Sequence, residues 1–175
     1  MISRVIEKRS YYDVDLDLIR SFIREYDDDV APDQFLQTLS ESAFSWIEQY
    51  TNRQLSKTMV ELTLDNPPNG YFFLPYGEII SVNSVLDSNI KSIPYMYDSS
   101  SERIAITASG YRLPVKVRYE CGYLAYTSIP QAIQQAHLML IATMYQQRED
   151  QSPLTMSNVN FNIKSLLNPF RYHPV

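Results

Sequence analysis

Apolar residues recur along the chain at two different spacings, and the change between them divides it. Leu16, Ile19, Phe22, Ile23 and Tyr26 fall at helical spacing and predict a first amphipathic helix over 15–26. Asp27-Asp28-Asp29 interrupts it and places acids near the start of the next helix, where the backbone dipole is positive. That next helix is predicted over 32–52. Phe35, Leu36, Leu39, Ala43, Trp46, Ile47 and Tyr50 form one stripe, with Gln37, Ser40, Glu41, Ser45 and Glu48 opposite; Pro32 opens it and Asn52 can cap its end. From there the period falls to two. Strands are predicted over 59–64, 71–74, 79–86, 93–97, 103–107 and 115–121, the last of which, VKVRYEC, alternates strictly. Glycine occurs only at positions 70, 77, 110 and 122, each at a turn or strand end.

A third helix, predicted over 130–148, differs from the other two. Ile133, Ala136, His137, Leu140, Ile141 and Met144 repeat at helical spacing, while Leu138, Met139, Ala142 and Tyr145 fill the remaining faces. A helix apolar nearly all round is buried on more than one side, either at the centre of a domain or between subunits. Its exit over 146–150 is polar, and Arg148 suits a helix C-terminus.

The expected architecture is therefore α+β: a helical bundle of two N-terminal helices and one long C-terminal helix, with an antiparallel β region inserted over 57–121. Residues 1–13 read as a polar lead, 14–150 as the domain and 151–175 as a tail. The tail carries Ile163, Leu166, Leu167, Phe170 and Tyr172 but is too short and too rich in proline to build a core alone, so it must dock on this domain or on a neighbour.

Composition narrows the function. The net charge is −5 with no basic block, which argues against autonomous binding to a phosphate backbone. Cys121 is the only cysteine, so neither an intramolecular disulfide nor a cysteine-rich metal site can form. No apolar run approaches the ~20 residues of a membrane span, and MISRVIEKRS is not a secretory leader. These features read as a soluble protein made inside a cell. Tyrosine is abundant, 14 against one tryptophan, and tyrosine serves both cores and contact surfaces.

Candidate chemistry is sparse. Asp13-Val14-Asp15-Leu16-Asp17 begins like a calcium loop, but the positions that need Gly and Glu hold Leu18 and Arg24. Asp27-Asp28-Asp29 with Asp33 could hold a divalent cation, although consecutive carboxylates converge poorly and a solvated helix connection is the simpler reading. His137 has Ile133 and Ile141 four residues away, so a satisfied core or interface histidine is favoured. Cys121 closes a strand and reads as a buried thiol. There is no G-x-S-x-G elbow, phosphate loop or G-x-G-x-x-G. No constellation supports catalysis, and no cofactor is called for.

Several stretches then resemble one family. The segment 18–55 ends in Glu48-Gln49-Tyr50-Thr51-Asn52-Arg53; 72–85 reads FFLPYGEIISVNSV; 117–150 runs from VRYECGY through Ile129-Pro130 into a helix ending Tyr145-Gln146-Gln147-Arg148; the chain closes on Leu166-Leu167-Asn168-Pro169-Phe170-Arg171. In this order they resemble the head–tail connector proteins of tailed bacteriophages, also called adaptor or head-completion proteins. The resemblance implies a structural virion protein with no enzymatic activity, made in the host cytoplasm and placed at the neck of the particle. It implies a homo-oligomeric ring, usually dodecameric, beneath the portal protein. Such a ring extends a channel through which DNA passes without sequence-specific binding, offers a platform to a stopper or tail protein, and involves no membrane. Leu166, Leu167, Pro169, Phe170, Arg171 and Tyr172 would dock the portal, and Leu138, Met139, Tyr145 and Arg148 would meet the neighbouring subunit. The alternatives are another neck or tail-completion protein, and a small hydrolase using a metal near Asp27 to Asp33.

Overall fold

The computed structural model describes residues 1–11, 14–23, 31–146 and 161–173. The class is α+β as expected, with four α-helices and two antiparallel sheets among the described residues. The chain folds as two compact units. One is a sheet unit built from Met1–Ser10, Arg53–Leu124 and the chain end from Tyr172. The other is a helical unit built from Tyr11–Asn52 and Ala125–Arg171.

In the sheet unit, β1 (Ile2–Lys8), β2 (Thr58–Leu64), β7 (Val115–Cys121) and β4 (Ile79–Leu86) form one sheet in the order β1-β2-β7-β4. β3 (Tyr71–Phe73), β6 (Arg103–Ile106) and β5 (Tyr95–Asp98) form a second in the order β3-β6-β5. Alternation decides what faces inward. On β2, Val60, Leu62 and Leu64 are buried; on β7, Val115, Val117, Tyr119 and Cys121 are buried, and they join Phe72, Val85 and Ile104 in one core. The opposite face of β7 shows Lys116 and Arg118 to solvent, and both bond Glu61 across the register Glu61↔Arg118, at 3.1 and 2.9 Å. Lys57 pairs Glu120 at 3.0 Å. Partial burial pushes the Glu61 carboxyl up, but the bonds from Arg118 and Lys116 outweigh it and hold it below its usual value.

The polar lead contains a strand that its pattern hides. β1 pairs with β2 over Ile2↔Thr63 to Lys8↔Thr58, with a register shift between Val5 and Glu7 that breaks the two-residue period. An edge strand exposed on both faces has no buried side to select alternating apolar residues.

In the helical unit, α1 (Leu16–Ile23), α2 (Asp33–Thr51), α3 (Gln131–Gln146) and α4 (Phe161–Leu167) pack together, and α3 touches each of the other three. That explains its all-round apolarity: Ile133, Ala136, Leu138, Leu140 and Ile141 are all buried. α2 follows Pro32 and ends at Asn52, whose left-handed φ of 53° lets its N–H reach the Glu48 carbonyl. α4 had no expectation behind it; only Ile163 and Leu167 are buried along its seven residues, too few to show a period. A single 3₁₀ turn, Asn168–Phe170, follows it. Among the described residues, no helix is long and apolar enough to cross a membrane.

Candidate functional site

The stretches that carry the resemblance are far apart in sequence, yet within each unit the fold brings them together. In the sheet unit they meet at the turn after β3. Tyr76, Gly77 and Glu78 all have positive φ, at 72°, 61° and 49°, a run that L side chains rarely adopt. This turn seats Arg53 and Tyr172. Arg53 reaches Glu78 Oε1 at 3.3 Å and lies 5.6 Å from the Tyr172 ring centre. The Tyr172 hydroxyl donates to the Leu74 carbonyl at 2.6 Å. A side chain at Gly77 would sit 2.8 Å from Arg53 Nη1 and 3.2 Å from the Tyr172 ring, so the glycine leaves room for both. Burial pushes the Tyr172 phenol up to about 12. Tyr123 donates to the same Glu78 oxygen at 3.2 Å. The preceding Gly122, with φ +100°, passes so close to the Ser56 carbonyl that an added Cβ would lie 2.2 Å from it.

The helical unit gathers the rest. Tyr50 stacks on Trp46 at 5.1 Å and donates to Asn168 Oδ1 at 2.6 Å, while the Arg171 guanidinium lies 5.2 Å from its ring centre. The 48–53 signature thus contacts the closing motif of the chain through Tyr50. Glu48 accepts the Tyr11 hydroxyl at 2.8 Å, and Thr51 donates back to Ile47 at 2.7 Å.

His137 is fully buried, as the sequence favoured. Phe44 stacks on it at 3.9 Å, and Tyr126 stands edge-on at 5.9 Å. Its Nε2 lies 3.1 Å from the Ser40 carbonyl, which can only accept, so Nε2 carries the hydrogen. Nδ1 is then the acceptor facing the Tyr126 hydroxyl at 3.5 Å. Burial drives its pKa down to about 4, against the opposing pull of the Ser40 carbonyl. This imidazole is neutral, satisfied and closed off from solvent. Its partners Ser40 and Tyr126 could not be foreseen, because neither lies within a few residues of it. Cys121 is buried and forms no disulfide.

The expected contact residues fall into different settings. Leu138 is buried, whereas Met139 and Tyr145 are half-buried, Tyr145 tilting against Phe35 at 6.3 Å. In the tail, Leu167 is fully buried, Leu166, Phe170 and Tyr172 are half-buried, and Pro169 and Arg171 are exposed. Arg148 and Asp27-Asp28-Asp29 lie outside the described residues. Asp33 is ion-paired with Arg20. Among the described residues, no group of three His, Cys, Asp or Glu is placed to hold a metal ion.

Within each unit, polar groups tie distant chain segments to one another. The head completion protein family model matches residues 23–170, and the chain belongs to that family of phage head–tail connectors. Its role is structural and not enzymatic. The fold is shared with a chain of the virion of a native gene transfer agent particle, at 19% identity and a TM-score of 0.72 over 100% of this chain and 97% of that one. It is also shared with a chain in the neck of the empty gene transfer agent particle computed with C6 symmetry, at 18% identity and a TM-score of 0.72 over 100% and 97%. A chain in the neck of the native particle computed with C12 symmetry matches at 16% identity and a TM-score of 0.64 over 97% of both. No curated protein sequence matches the chain.

Proposed function

We propose that the protein forms a ring, of twelve copies, in the neck of a tailed phage-like virion. There it lies beneath the portal, lengthens the DNA channel and links head to tail. The observation that carries this reading is the likeness over 97% of both chains to a chain from a neck computed with C12 symmetry, in a protein of the head completion family. A net charge of −5 suits a channel wall past which DNA slides, because few cations are available to grip phosphates. The subunit interface is assigned to the α3 region: half-buried Met139 and Tyr145, with Arg148 beyond them and Leu138 supporting from the core side. The portal contact is assigned to the chain end. Exposed Pro169 and Arg171 lead it, backed by Leu166, Leu167, Phe170 and Tyr172, and the next neck or tail protein stacks below.

Mixing the protein with purified portal rings and imaging the product by electron microscopy tests this. A ring stacked on one portal face is expected. A chain that stays monomeric and never binds portals would sink the reading. Replacing Arg171 with Ala should weaken portal binding by roughly tenfold or more while leaving the fold intact.

A further inference from the structure

The loop that follows β4 holds a strained residue whose side chain is left in solvent. Asp87-Ser88-Asn89-Ile90-Lys91 closes as a tight turn: the Ile90 N–H donates to the Asp87 carbonyl at 2.9 Å, and the Asp87 N–H to the Lys91 carbonyl at 3.0 Å. The left-handed position of such a turn ordinarily falls to glycine or asparagine. Here it is Ile90, with a φ of 63°. A β-branched residue is strained in that region. Burial gives nothing in return, because Ile90 is 80% exposed. Strain kept at a surface position points to a contact made there.

The turn is also pinned. The buried Asp87 carboxylate accepts the Asn89 and Lys91 N–H groups at 2.9 and 3.0 Å. The Ser88 N–H donates to the Arg112 carbonyl at 3.2 Å, which ties the turn to a second loop bearing exposed Leu113. Lys91 and Arg112 are exposed next to Ile90 and Leu113 in sequence, and neither forms an ion pair among the described residues. The result is a pre-organised apolar knob with a cationic border. It fits an apolar hollow bordered by carboxylate. The charges of the chain are divided to match. The sheet unit carries ten lysines and arginines against eight acids, and the helical unit five against twelve, which together make the net −5. The helical unit also has an open hollow of about 430 Å³ lined by Tyr11, Trp46, Ser42, Ser45 and Glu41. Glu41 is exposed and forms no ion pair among the described residues. The hollow beside the knob is lined by Lys91 and Arg112 themselves and repels a second knob.

We infer that the Ile90 knob of one copy seats in the hollow at Tyr11 and Trp46 of a second copy, with Lys91 facing Glu41. The two surfaces differ, so the contact repeats from copy to copy and can close a ring, whereas knob against knob would stop at a dimer. This deepens the ring reading and rests on it.

The test is the protein concentration at which rings form on purified portal, counted by electron microscopy. Asparagine suits the left-handed position, so Ile90→Asn should melt at or above the wild-type temperature while needing roughly tenfold more protein to form rings. Rings at the wild-type concentration overturn the knob. A melting temperature well below wild type also overturns it, by showing that Ile90 serves its own fold. Lys91→Glu and Glu41→Lys should each raise the concentration about tenfold, and the two together should restore it. Single variants without effect, or a double variant no better than they are, overturn the seating on a second copy, and wild-type rings then leave the ring reading standing. If the wild-type chain forms no ring, the ring reading falls and this contact with it.

Discussion

The helical unit keeps its working polar groups inside: the His137 imidazole between Phe44, Ser40 and Tyr126, and the Glu48 carboxylate under Tyr11. The sheet unit carries a group of ion pairs near its surface, where Lys116 and Arg118 flank Glu61, and Lys57 meets Glu120. A buried neutral imidazole is sensitive to pH and almost blind to salt. Half-exposed ion pairs behave in the opposite way, because mobile ions screen them. One chain thus joins two units that should respond to different conditions, and Trp46, the only tryptophan, reports on the helical one.

The comparison breaks most readily at Phe44. This fully buried ring stacks on both His137 and Tyr11, and Phe44→Ala should cost about 3–5 kcal/mol. The loss should appear in the midpoint of Trp46 fluorescence on urea unfolding; a shift worth under 1 kcal/mol would mean the aromatic cluster is not what holds that unit.

A smaller effect follows from pH. His137 titrates near 6.5 in an unfolded chain and at about 4 in the fold. As pH falls, the unfolded chain takes up the proton first, so stability that is complete above 6.5 drains away between 6.5 and 4. By pH 5 roughly 2 kcal/mol should be gone. Denaturation followed at Trp46 from pH 7.5 to 4.5 should show the loss, and His137→Gln should flatten the profile. A wild-type profile already flat would place the imidazole in solvent.

The smallest effect belongs to the sheet. Glu61→Gln should cost under about 1 kcal/mol, since both its partners are about half exposed, and the difference from wild type should shrink in 0.5 M salt. A difference that survives the salt would show that Glu61 acts through its burial and not through its charge.

Legibility followed burial. α2, β2 and β7 could be read because each has one repeating buried side, and α3 because it is apolar nearly all round; even α2's end was visible in Asn52. β1 and α4 could not. The first is an exposed edge with a register shift at Val5/Glu7, and the second rests on Ile163 and Leu167 alone. The contact residues behave likewise. Tyr50 and Arg53 were visible as parts of a signature, but their partners Asn168 and Glu78 are set by tertiary structure. Gly77 could be read as a turn glycine, yet the seat it opens for Tyr172 depends on a residue almost a hundred positions away.

The two units are interleaved along the chain, and that has a consequence for synthesis. β1 leaves the ribosome before its partners: it pairs with β2 at Thr58–Leu64, and β2 needs β7 at Val115–Cys121 on its other side. α2 is released early as well and waits for α3, which ends at Gln146. Neither unit can be completed while the other is still being made, and no single cut in the chain yields two halves that each hold a whole core. A nascent chain of this protein stays unfinished until α3 and α4 have both been added.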